Sequence, residues 1–131
     1  MKTIIKNLIV SFLVLFAYAI TNYAVAADNQ TGAMAPINNT ISHLEAALKA
    51  VDMADLEVAQ EHMKAARQSA KDIIGGSLEV KAQRGTNAIT NARRQTQKGE
   101  TAEATASLKR ALEIFKSLHS SSETGSRGGL K

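Results

Sequence analysis

Residues 41–76 read ISHLEAALKAVDMADLEVAQEHMKAARQSAKDIIGG, and the spacing of their apolar side chains decides the fold. Ile41, Leu44, Leu48 and Val51 recur every third or fourth residue, and Leu56, Ala59, Met63, Ala66, Ala70 and Ile73 do the same. With about 3.6 residues per turn, each series lies along one face of a helix. Ser42-x-x-Glu45 can form a capping box at the start of the first helix, and Asp52 or Asp55 can cap the second. The break then falls near Met53 and Ala54, and the segment closes as a tight antiparallel hairpin. Gly75-Gly76 supplies the stop for its second helix, because glycine tolerates the left-handed conformation that ends a helix.

The pattern continues downstream. Ala82, Gly85, Ile89, Ala92 and Thr96, with Ala88 beside them, make a third stripe of mostly small side chains, which predicts close backbone approach. Lys98-Gly99 breaks it, and Ala104, Leu108, Ala111, Leu112, Phe115 and Leu118 form a fourth, strongly amphipathic stripe. A shift of 45 positions sets Ala54 on Gly99, Leu44 on Ile89, Ala47 on Ala92, Ala59 on Ala104, Met63 on Leu108 and Ala66 on Ala111. The expected fold is therefore all-α: an up-down-up-down four-helix bundle built from two duplicated helical hairpins. A tetratricopeptide stack fits less well, since its period is about 34 residues.

The beginning of the chain has a different character. Lys2 and Lys6 precede a mostly apolar run over residues 8–20, and Ala24-Val25-Ala26 follows as a small-x-small cleavage site. That order is the signature of a secretory signal. The length of the run makes a retained membrane anchor the alternative. Thr21, Asn22 and Tyr23 interrupt it before membrane-spanning length, however, so cleavage is the favoured reading, with no stable membrane insertion expected afterwards. The expected organisation is a cleaved signal over 1–26, a flexible leader over 27–40, the bundle over 41–119 and a Ser/Gly-rich disordered tail over 120–131, in a periplasmic protein.

The chain contains no cysteine, which removes disulfides, thiolate metal sites and covalent haem attachment. Loss of Lys2 and Lys6 with the signal lowers the net charge from +4 to +2, too little to suggest a nucleic-acid partner. The charge is uneven: acids dominate residues 28–79 and bases dominate residues 80–116. Two half-bundles attracting each other is the simpler reading, and a basic face meeting an anionic surface is the sharper one.

No nucleophile motif, phosphate-binding glycine loop or His-Glu-x-x-His pair is present, which argues against an enzyme. Without thiolates, a transition metal would have to be held by His43, His62, His119, carboxylates or thioethers. His62 precedes the core position Met63 and flanks the helix seam; His43 precedes Leu44 and should point further outward. Counted from Ala54 the two differ in height by about one turn, so they could share one rim. Glu61 adjoins His62, Glu45 is two residues beyond His43, and Asp55 and Glu57 stand nearer the turn. His43, His62, Glu45 and Glu61 are the candidate ligands of a mixed nitrogen and oxygen site suited to copper(II) or nickel. The competing reading makes them solvated surface side chains, Met63 a core residue, and His119 a helix-end histidine favoured by the dipole.

Over residues 43–118 the chain resembles the periplasmic small metal-binding proteins, short four-helix bundles whose helices carry many regularly spaced histidines. The resemblance lies in His43-Leu44-Glu45-Ala46-Ala47, Glu61-His62-Met63-Lys64, Ala70-Lys71, Gly75-Gly76, Gly85, Ala92, Gly99 and Ala111-Leu112-Glu113. It implies a periplasmic bundle that binds copper and other divalent ions and buffers or sequesters them. Most positions where that family repeats histidine hold Ala, Gln, Asn, Arg or Ile here, leaving His43 and His62 matched, so capacity and affinity should both be reduced.

Two other classes compete. One is a monomeric, non-catalytic interaction or stress protein offering a helical surface to another envelope protein. The other is a haem-binding bundle resembling cytochrome b562 over residues 99–119. No haem is expected, because Met34 falls outside the expected helices and the alanine-rich stripes leave no bulky apolar cavity.

Overall fold

The computed structural model describes residues 33–127, so the expected signal over 1–26 and its cleavage site lie outside the described residues. Within them are four helices: α1 (Met34–Asp52), α2 (Leu56–Ala70), α3 (Gly76–Gln97) and α4 (Thr101–Arg127). Each packs against two neighbours, α1 on α2 and α4, and α3 on α2 and α4, so the four form a closed ring around a shared interior. The short connections force neighbours antiparallel, which makes this the expected up-down-up-down bundle.

The two hairpins repeat one another down to their turns. Ala54 (φ 58°) and Gly99 (φ 76°) both take the left-handed conformation just past a helix end. In each turn the next N–H reaches back five residues, Asp55 to the Ala50 carbonyl and Glu100 to the Gln95 carbonyl, both at 2.9 Å. This closes carbonyls that the helix end would otherwise leave unpaired. The interior follows the same shift: Ile37 and Ala82, Leu44 and Ile89, Ala47 and Ala92, and Val51 and Thr96 are buried on α1 and α3. Ala59 and Ala104, Met63 and Leu108, Ala66 and Ala111, Ala70 and Phe115, and Ile73 and Leu118 are their counterparts along the second and fourth segments. The buried hydroxyls of Thr40 and Thr96 donate to carbonyls four residues back, Pro36 and Ala92, so neither is left unsatisfied.

Size is redistributed between the copies. Phe115 is fully buried where the first hairpin has Ala70. A Cβ at Gly85 would collide with the Phe115 ring, so glycine there is what admits the aromatic. The close approach expected of the small-residue third stripe is thus made at Gly85.

Four expectations are corrected. α1 begins at Met34, seven residues before Ile41, so much of the expected leader is helical. Pro36 sits in the first turn, where its missing N–H costs no hydrogen bond, and Ile37 and Thr40 are buried. Ser42 is consequently an exposed mid-helix residue and no capping box forms with Glu45. Gly75-Gly76 does not close α2, which ends at Ala70 through tight turns in which Lys71, Asp72 and Ile73 each donate to a carbonyl three residues back. The glycines instead open α3, at φ 112° and 51°, with the Gly75 N–H donating to the Glu79 carboxylate. Finally, α4 continues through the expected tail to Arg127; Ser120, Ser121 and Thr124 donate to carbonyls four residues back rather than unwinding the turn. No helix among the described residues is long and apolar enough to cross a membrane.

Candidate metal centre

α2 presents three kinds of residue in separate sectors. Its interior sector holds Ala59, Met63, Ala66 and Ala70, all buried. One residue before Met63, at about 100° around the axis, His62 falls on the flank that faces α1. On α1, His43 is likewise one residue before the fully buried Leu44. The antiparallel pairing brings these flanks together, and the two imidazoles meet with Nδ1 of His43 3.4 Å from Nδ1 of His62. Their ring centroids are 5.7 Å apart and their planes are inclined by 35°. The expectation that His43 points further outward is corrected: both rings are half-buried in the α1–α2 seam, the side chains spanning the difference in height.

Asp55 caps α2 by accepting a hydrogen bond from the Val58 N–H at 3.3 Å, which fixes the start of the helix that carries His62. The core pairs Leu44 and Met63 on either side of the seam hold the two helices at a fixed rotation. The histidines are therefore positioned by elements that owe nothing to a ligand.

Burial drives the chemistry of the pair. Desolvation lowers the His43 pKa below its ordinary 6.5. His62 is lowered first by desolvation and then by the charge of His43, while Glu61 acts in the opposite direction. Two imidazoles this close resist carrying a proton each, and a neutral imidazole keeps one ring nitrogen as an acceptor, the tautomer deciding which.

The separation tests two uses of those lone pairs. A hydrogen bond between ring nitrogens favours about 2.9–3.0 Å, so 3.4 Å is long for one. Two imidazole nitrogens at about 2.0–2.1 Å from one ion at the tetrahedral angle stand about 3.3–3.4 Å apart. The same bonds at a right angle would bring them to about 2.9 Å. The observed 3.4 Å is thus that of a long hydrogen-bond contact and also falls at the tetrahedral value.

The carboxylates divide. Glu61 is exposed and next to His62, on the side where its charge is felt. Glu45 turns the other way and pairs with Lys116 of α4 at 3.0 Å, with both side chains about half exposed. No group of three or more His, Asp or Glu arranged for a metal occurs among the described residues. Met63 is fully buried in the core and Met53 is 66% exposed at the turn. Met34, placed outside the helices by the sequence, is the first residue of α1, and its sulfur accepts from the Ser122 hydroxyl. His119 lies on α4 with its Nδ1 4.0 Å from the Glu123 carboxylate.

Sequence reasoning found both histidines but passed over Lys64, Arg67 and Lys71, assigning the basic character to residues 80–116. The spacing of those three, at intervals of three and four on α2, was the available signal. No family model matches the chain, and neither a curated protein nor a solved structure matches it.

Proposed function

We propose that this protein is a small periplasmic metal-binding protein that buffers divalent transition ions through His43 and His62. The observation that carries the reading is the 3.4 Å separation of the two Nδ1 atoms in a seam whose packing already fixes both rings. It agrees with the likeness of the His43 and Glu61-His62 segments to the histidine-rich metal-binding bundles. Two imidazoles supply two ligands, the charge of the neighbouring Glu61 favours a cation beside His62, and water completes the shell. A site of that kind binds and releases ions readily, as a buffer requires, and does not hold them as a structural zinc site does.

The spacing refines the choice of metal. The 3.4 Å spacing matches that of two nitrogens on a tetrahedral zinc ion, whereas a square-planar copper(II) ion needs the nitrogens to close by about half an ångström. Burial also favours binding, since the ion displaces little proton from imidazoles that are already neutral.

Calorimetric titration of the full chain with zinc(II), copper(II) and nickel(II), beside His43→Ala/His62→Ala, tests this directly. The expected result is one zinc per chain for the natural sequence and at least a tenfold loss in the double variant. Glu45→Gln should leave the affinity unchanged, because Glu45 faces Lys116. Equal binding by the natural and double-variant proteins would refute the proposal.

A further inference from the structure

The flank of α2 opposite His62 has a different chemistry. Lys64, Arg67, Gln68 and Lys71 of α2 and Arg93 of α3 line a groove of 230 Å³ between the two helices. Four of those five side chains are cationic, and no carboxylate joins them in the lining. Among the described residues none of the four is in an ion pair, although an acid-bearing helix runs on either side. Three of the four bases in the otherwise acidic half of the chain therefore converge on one place.

Two details make the groove more than a charged face. The Nε atom of Arg67 is buried and has no hydrogen-bond partner, an expensive condition for a guanidinium donor. Arg93 is held in place by Gln60, whose amide donates to the Arg93 carbonyl at 2.9 Å and whose Oε1 accepts from Arg93 Nε at 3.3 Å. One guanidinium is thus anchored, while the other keeps its Nε buried and unpaired and stands beside two lysines. Arginine forks match the oxygens of a tetrahedral oxyanion, and lysines add charge without demanding geometry. At this volume the groove suits a small anionic group, being below the size of pockets that enclose drug-sized molecules.

We infer that the α2–α3 groove is a binding site for a phosphate group, with Arg67 and Arg93 as its forked donors and Lys64 and Lys71 as its flanking charges. The group is carried either by free phosphate or by an anionic lipid headgroup, and the chemistry of recognition is the same. The site lies across the core stripe of α2 from His62 and stands independently of the metal reading.

The test uses the full chain with two probes at low salt: inorganic phosphate by titration calorimetry, and phosphatidylglycerol vesicles, with phosphatidylcholine vesicles as blank, by co-sedimentation. Arg67→Gln and Lys64→Gln/Lys71→Gln are compared with Lys109→Gln/Arg110→Gln, which removes two exposed charges from α4. Saturable binding of either probe, lowered at least tenfold in both groove variants and unchanged in the α4 control, supports the site, and the probe that binds identifies the carrier. Absence of binding to both probes overturns it, as does an equal loss in the α4 control, which would reduce the effect to net charge. Because Lys64 and Lys71 are exposed, that double variant keeps the test decisive even if Arg67→Gln loses its fold.

Discussion

Gly85 and Phe115 show how a single contact sets the interior. Gly85→Ala gains about 1 kcal/mol of helix propensity, but its methyl group meets a fully buried ring with nowhere to retreat. Overpacking of that kind costs about 1–3 kcal/mol, so a net loss of about 1 kcal/mol is expected in urea unfolding. Gly85→Ala/Phe115→Leu should recover part of the loss attributable to the clash, and the recovery measures the coupling between the two sites. The histidine pair makes a second prediction. Both folded pKa values lie below the ordinary 6.5, so the unfolded chain takes up protons first as the pH falls. Stability is therefore whole above about pH 6.5, drains as the pH falls through the two folded values, and levels off below them. Unfolding free energies of the metal-free protein between about pH 7.5 and pH 4.5 should fall less steeply in His43→Gln/His62→Gln than in the natural chain.

Helices and turns carry the next set of consequences. Ala54 and Gly99 occupy equivalent left-handed positions, and only one of them is glycine. An L-residue there costs roughly 1 kcal/mol, so Ala54→Gly should raise the thermal midpoint and Gly99→Ala should lower it by a similar amount. A change of the same sign in both would contradict the equivalence of the turns. These elements also show what the sequence could and could not convey. The four stripes placed every core face, because periodicity reports burial directly: Leu44, Met63, Ile89 and Leu108 are each fully buried. Boundaries were harder. Pro36 and the Asn-rich stretch before Ile41 read as a leader, yet Ile37 and Thr40 supply enough burial to extend α1 by almost two turns. The serines past Leu118 read as a tail, yet α4 stays helical through them, with the Ser120 and Ser121 hydroxyls satisfied by carbonyls one turn back. Gly75-Gly76 announced a special backbone correctly but not which helix it served, since a positive φ can end one helix or begin the approach to the next. The histidines were both named from the sequence; their contact was not, because it depends on the rotation of one helix against the other, which local spacing does not encode.

Taken whole, the bundle is a ring of four helices with a narrow, alanine-lined interior that leaves its chemistry to the outer seams. The α1–α2 seam gathers neutral imidazoles and the α2–α3 seam gathers cations, with the core stripe of α2 between them. Under the two proposals, that separation would keep the ligands of the metal and those of the anion from neutralising each other. The α1–α4 seam carries the Met34–Ser122 contact and the half-exposed Glu45–Lys116 ion pair, and that pair contributes little to stability at ordinary ionic strength. The metal reading rests on which ring atoms face each other, and nitrogen-resolved NMR of the histidine side chains reads those atoms individually. On adding one equivalent of zinc(II), the Nδ1 signals of His43 and His62 should shift together and saturate at a single ion per chain. Zinc-induced shifts confined to Nε2, confined to one histidine, or absent from both would contradict a shared ion between the two helices.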